Sequence, residues 1–154
     1  MKILAKNKKI FFDYEIQDKL DVWIVLMWHE VKALKMQWAN IKDAVVQIRH
    51  NELWLINMDI QVYKKVSWNT LGDYTPKWPR KLLITKQQLT RLRSSTQKTW
   101  LHIVPIVVYE AKNRKIKVTI WLAKRKKNIQ KKQSIKDKDT KRQMNRDISR
   151  IRLG

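Results

Sequence analysis

The sequence predicts a mainly β fold with short helices, a small antiparallel β-barrel followed by a basic C-terminal tail. Three observations carry this. Apolar and polar residues alternate in many short runs, most clearly in Lys117–Lys124, where Val118, Ile120 and Leu122 share one face and Lys117, Thr119 and Trp121 the other. Turn-forming residues fall between such runs, at Asn51 and at Asn113-Arg114. Core-forming residues then nearly stop at Lys124-Arg125-Lys126-Lys127, four cations in a row. The expected division is therefore a body over 1–124 and a tail over 125–154.

In chain order, residues 1–9 read as a basic, polar lead-in. Ile10–Gln17 has strand-forming residues in rough alternation, and Val22–Trp28 is almost wholly apolar, as a buried strand would be. Glu30–Met36 changes to helical spacing. Ala44–His50 and Glu52–Asn57 read as strands joined at Asn51, and Ile60–Tyr63 as a further short strand. Lys64–Pro79 contains Gly72 and two of the three prolines, so a loop is expected. Arg80–Thr85 reads as a strand. Lys86–Ser95 reads as a helix with Leu89 and Leu92 on one face and Thr85 as its N-cap. Leu101–Ala111 and Lys115–Lys124 form a long predicted hairpin. Several short antiparallel strands with two short helices suit an OB-like barrel.

Charge narrows the class of partner. The chain carries 35 Lys and Arg against 13 Asp and Glu, a net +22. Such an excess attracts polyanions, nucleic acid first and an anionic membrane surface second. Residues 125–154 hold 12 of the cations and 3 of the acids, so the tail is denser in charge, but the body is basic too. The longest apolar run, Ile103–Tyr109, contains Pro105 and falls far short of the roughly 20 residues of a membrane span. The short apolar start, MKILAKNKK, lacks a signal-peptide core. A cytoplasmic protein with no membrane partner is expected.

Catalytic chemistry finds little support. There is no cysteine, hence no disulfide or thiolate metal site. No phosphate-binding glycine loop, HExxH or nucleophile-elbow motif is present. His29, His50 and His102 read as surface or scaffold residues, and no cofactor is expected. Asn7-Lys8-Lys9 and Arg80-Lys81 could contact phosphates, or could be solvated basic surface. Glu30 reads first as an acid placed at a helix N-terminus, where the dipole favours it. Its second reading is an acceptor for base amino groups. The tail has six scattered apolar residues among its cations, with Met144, Ile148 and Ile151 on one side of a possible helix. It is expected to lack order alone and to gain it on a partner.

Several blocks together resemble the SmpB (SsrA-binding protein) family over nearly the whole chain. These are Asn7-Lys8-Lys9 with Phe12, Tyr14 and Ile16; Glu30-Val31-Lys32-Ala33-Leu34-Lys35 with Ala39-Asn40; and Glu52-Leu53-Trp54-Leu55-Ile56-Asn57. Pro79-Arg80-Lys81-Leu82-Leu83, Val104-Pro105 with Val108-Tyr109, Leu122-Ala123-Lys124-x-Lys126-Lys127 and Ile135-Lys136-x-Lys138-Asp139 complete the set. Any one block is weak; their joint order and spacing are specific. The resemblance implies an OB-like, monomeric, non-enzymatic protein. It implies binding to the tRNA-like domain of tmRNA (SsrA RNA) and its delivery to the A site of stalled ribosomes, starting trans-translation. The implied RNA-facing positions are Asn7, Lys8, Lys9, Glu30, Lys32, Asn40, Arg80, Lys81, Lys124, Lys126 and Lys127. The implied tail contacts, in the decoding centre and mRNA channel of the small subunit, are Lys131, Lys132, Ile135, Lys136, Lys138, Arg146 and Ile148. A basic ribosomal or general RNA-binding protein is the alternative.

Two departures from the family pattern stand out. Ile129 occupies a position where the family carries a ring able to stack on a base. Glycine, about 7% of an average protein, occurs here twice in 154 residues beside eight tryptophans. Trp23, Trp28, Trp100 and Trp121 fall where the family has glycine, and Trp38 falls beside such a site. Glycine supplies positive φ or close approach, which tryptophan cannot. The expectation is that the gene encodes glycine with UGA at these positions, read as tryptophan by another codon table; the alternative is genuine tryptophans forming an aromatic surface for RNA stacking or a membrane. Inspection of the codons decides it, and UGG at these sites would contradict it.

Overall fold

The computed structural model describes residues 2–98 and 101–126, together with 138, 142 and 143. The chain forms β1 (Lys2–Lys6), α1 (Ile10–Asp13), β2 (Tyr14–Ile24), α2 (Trp28–Lys35), β3 (Ala39–Asn40), β4 (Val45–Arg49) and β5 (Glu52–Ile56). It continues through β6 (Asp59–Ile60), α3 (Trp68–Leu71), β7 (Arg80–Leu83), α4 (Lys86–Lys98), β8 (His102–Glu110) and β9 (Ile116–Arg125). The main sheet is antiparallel in the order β1-β8-β4-β5-β7-β2-β9, and pairing of β8 with β9 closes it into a ring. Closure removes the free edges that an open sheet would expose. β1 pairs with β8 outside that ring, and β3 pairs with β6 in a separate ribbon. The mainly β, barrel-like fold read from the sequence is the fold observed.

Local chemistry explains the joints. His50 and Asn51 both have left-handed backbones, φ 49° and 61°, as a two-residue hairpin between twisted strands requires. In the β8–β9 loop the Asn113 side chain accepts from the Lys115 N–H, and Arg114 supplies φ 64°. Thr85 caps α4 reciprocally: its hydroxyl accepts from the Gln88 N–H while the Gln88 side chain accepts from the Thr85 N–H.

The barrel interior holds Leu53, Leu55, Val108 and Val118, none of them exposed, and Ala33 and Leu34 of α2 join the same core. On β9 the alternation is the expected one: Val118, Ile120 and Leu122 lie in this core. On β8 the pattern breaks. Ile103 and Val108 share the main core although an odd spacing separates them, whereas Val104 and Ile106 join Ile10 and Ala123 in a second cluster. A shift in register between Pro105 and Val107 reverses the parity. A bulge at a proline, which has no N–H for the ladder, permits this. The outer cluster is where α1 sits.

Some expectations need correction. The basic lead-in contains β1, because Ile3 and Ala5 find partners on the distant strand β8. The predicted strand Ile10–Gln17 is split: Ile10–Asp13 are helical and β2 starts at Tyr14. The apolar run Val22–Trp28 is also split, with Trp28 opening α2. The loop after β6 contains the short α3, whose N-cap Ser67 accepts from the Thr70 N–H. Of the next predicted strand, Ile60–Tyr63, only Ile60 pairs, as the end of β6, and β9 runs one residue past the expected body boundary, to Arg125.

Among the described residues no tryptophan has a positive φ, which falls instead on Gln37, beside Trp38, and on His50, Asn51, Asn57 and Arg114. Trp23 lies under Lys117, whose ammonium is 4.1 Å from the ring centre. Trp121 packs edge-on to Phe11 at 5.0 Å, with its indole N–H buried and unpartnered. Such a donor costs about 1–3 kcal/mol. Trp100 lies outside the described residues.

Candidate nucleic-acid interface

The predicted RNA-facing residues divide into buried and exposed sets. Glu30 and Arg80 are each only 2% exposed and form an ion pair with each other. Glu30 stands in the first turn of α2, where its second carboxylate oxygen accepts from the Met27 N–H at 3.1 Å. Arg80 opens β7 and fans its guanidinium over the loop that precedes it. It donates to the carbonyls of Met58, Trp78 and Pro76 and to the Tyr74 hydroxyl. That hydroxyl in turn donates to the Ile60 carbonyl at 2.8 Å. Burial raises the Tyr74 hydroxyl above its ordinary pKa, opposed by Arg80, so it stays a donor. A buried charge needs a partner and full hydrogen bonding, and this one has both. The Glu30–Arg80 pair thus joins α2 to β7 and to the 58–78 segment.

Asn7 is also buried, at 4% exposed. Its amide donates to the carbonyls of Ile41 and Lys42, and its oxygen accepts from the Lys9 N–H. Asn40 is exposed, and its side-chain oxygen accepts from the Lys42 N–H at 2.8 Å. Lys42 is therefore held from both sides by two asparagines. Nothing in its sequence neighbourhood singled it out, because the linking bonds span as many as 35 positions.

Exposed cations gather around α1. Lys8 and Lys9 precede the helix and are exposed. At its other end the Lys126 N–H donates to the Asp13 carbonyl and its ammonium to the Phe11 carbonyl. Cations are favoured at a helix C-terminus. Lys124, also exposed, pairs across strands with Glu15. Four helical residues span only about 6 Å, so α1 brings the Asn7-Lys8-Lys9 block and the start of the tail to one rim.

The remaining predicted residues sit elsewhere. Lys32 is exposed on α2. Lys81 bonds to Glu52 on the neighbouring strand at 3.0 Å, both side chains being 41% exposed. That pair contributes about 0–1 kcal/mol. β2 lies between β7 and β9 and carries the exposed acids Glu15, Asp18 and Asp21, which weaken the attraction of that strand for a polyanion. Lys127, Lys131, Lys132, Ile135, Lys136, Arg146 and Ile148 lie outside the described residues; Lys138 is helical and exposed. The expectations for tail order and for Ile129 also fall outside them.

Among the described residues there is no His, Cys, Asp and Glu grouping fit for a metal, and no helix long and apolar enough to cross a membrane. His29 is 1% exposed and packs edge-on against Tyr74 and Trp28, a place in the scaffold.

Comparison with known proteins places this architecture. The pattern of the family described as SmpB protein matches residues 4–150. An SsrA-binding protein of Neorickettsia sennetsu is 41% identical over 97% of this chain and 100% of its own length. One of Treponema denticola is 36% identical over 96% of this chain and 94% of its own. A solved chain described as "tmRNA-SmpB: a journey to the center of the bacterial ribosome" superposes with a TM-score of 0.66 at 30% identity, over 83% of this chain and 87% of that one. This chain belongs to the SmpB protein family.

Proposed function

We propose that this protein binds the tRNA-like domain of tmRNA and delivers it to stalled ribosomes, acting in the cytoplasm as an RNA-binding factor and not as a catalyst. The observation that carries this reading is its end-to-end relationship to SsrA-binding proteins. The basic rim around α1 supports it physically. Lys8 and Lys9 stand exposed before α1, Lys124 is exposed on β9, and Lys126 is held at the other end of α1, a set of cations suited to a phosphodiester backbone. Glu30, Arg80 and Asn7 serve RNA binding indirectly in this reading, by fixing the elements on which exposed groups stand. Lys81 and Lys32 extend the contact to other faces of the barrel. The body over 1–124 grips RNA, and the tail over 125–154 enters the decoding centre and mRNA channel.

Phosphate contact through five or so cations releases counterions. The affinity for tmRNA should then fall about a hundredfold between roughly 50 and 200 mM salt. Fluorescence anisotropy with labelled tmRNA across that range is the test. An affinity independent of salt would contradict a phosphate-based rim.

A further inference from the structure

Beside α1 lies a cleft of about 280 Å³ whose walls include Asn7, Lys9, Asp13, Tyr14, Lys42 and Asp43. Two lysines from opposite ends of a 33-residue separation meet there. Their main chains are tied together by Asn7, which accepts from the Lys9 N–H at 3.2 Å and donates to the Lys42 carbonyl at 3.2 Å. Asn40 completes the hold by accepting from the Lys42 N–H. Both side chains line the cleft, and the nearby Lys42 charge holds the Lys9 amine below the ordinary lysine range. A small loss of hydration acts in the same direction, while Asp13 and Asp43 pull against it. Two cations pressed together in the free protein are unfavourable, although carboxylates line the same cleft. An anion placed between them turns that repulsion into a shared attraction. A phosphate has the charge and the oxygen count to accept from both ammonium groups.

We propose that Lys9 and Lys42 form a clamp for one backbone phosphate, with Asn7 and Asn40 fixing the separation of the segments that carry it. The clamp rests on the RNA reading above and adds Lys42 to it. Asn7 and Asn40 are positioning residues in this arrangement.

The experiment measures tmRNA affinity for the full chain and for Lys42→Ala, Lys42→Arg and Lys112→Ala. Lys112 is an exposed lysine of the β8–β9 loop, away from the cleft. Lys42→Ala should weaken binding about fivefold and lower the log–log salt slope by about 1. Lys42→Arg should stay within about twofold of the parent, and Lys112→Ala should match it. Lys42→Ala behaving as Lys112→Ala does would overturn the clamp while leaving tmRNA binding intact. Should the parent not bind tmRNA, titration with inorganic pyrophosphate decides the clamp independently. Backbone amide shifts concentrated at residues 7–10 and 41–45 would support it, and shifts absent there would overturn it.

Discussion

Glu30→Ala should lower the thermal midpoint of the protein by roughly 10–20 °C, the equivalent of about 3–5 kcal/mol. The loss is large because the change leaves the Arg80 guanidinium buried without its counter-charge, at 2% exposure. It also removes the acceptor of the Met27 N–H at the start of α2. Glu52→Ala makes the comparison. Its pair with Lys81 is 41% exposed on each side, so its removal should cost under about 1 kcal/mol. Circular dichroism melts of the two variants give the difference directly, and equal midpoints would contradict the account. The same pair of variants separates two ways for Glu30 to affect RNA. If Glu30 acts through the scaffold, Glu30→Ala weakens tmRNA binding more than Glu52→Ala does, and the deficit shrinks on cooling to where the variant is fully folded. A deficit unchanged by cooling would instead assign Glu30 a direct contact with RNA.

Removal of residues 127–154 should separate RNA binding from ribosome rescue. The deletion takes away ten Lys and Arg with three Asp and leaves the rim around α1, including the two bonds from Lys126 to that helix. Much of the tmRNA affinity should survive, with a shallower salt dependence. Tagging of nascent chains on stalled ribosomes should be abolished. Normal tagging by the truncated chain would remove the proposed role of the tail. Loss of tmRNA binding would instead place the main RNA contact beyond Lys126.

Local signals made much of the fold legible. The β4–β5 hairpin follows from Asn51, a residue that tolerates the left-handed backbone found there. Helix α4 follows from Thr85 and the Leu89, Leu92 spacing, and the β8–β9 hairpin from alternation around Asn113-Arg114. What escaped was decided at long range. β1 is a strand because β8 lies beside it, not because KILAK has a strand pattern. α1 interrupts IFFDYEIQ because Ile10 fills the second cluster on the outer face of β8 and β9, which exists only once the Pro105 bulge reverses that strand. The candidate interface shows the same division. Exposed lysines in runs are visible in the sequence, and the structure leaves Lys8 and Lys9 exposed. The partnership of Glu30 with Arg80 spans 50 positions, and that of Asn7 with Lys42 spans 35, so neither could be read locally. Glu30 sits at a helix start, as the first of its two sequence readings expects, while its buried pairing with Arg80, which neither reading contained, decides where its carboxylate points.

The central claim is selectivity for tmRNA, and net charge alone would produce binding to any RNA. The most direct measurement is therefore a competition at near-physiological salt between tmRNA and ordinary tRNA for the full-length protein. The account predicts that tmRNA displaces bound tRNA and that excess tRNA fails to displace tmRNA. Equal competition by the two RNAs would contradict it and would leave a general basic RNA-binding protein in its place.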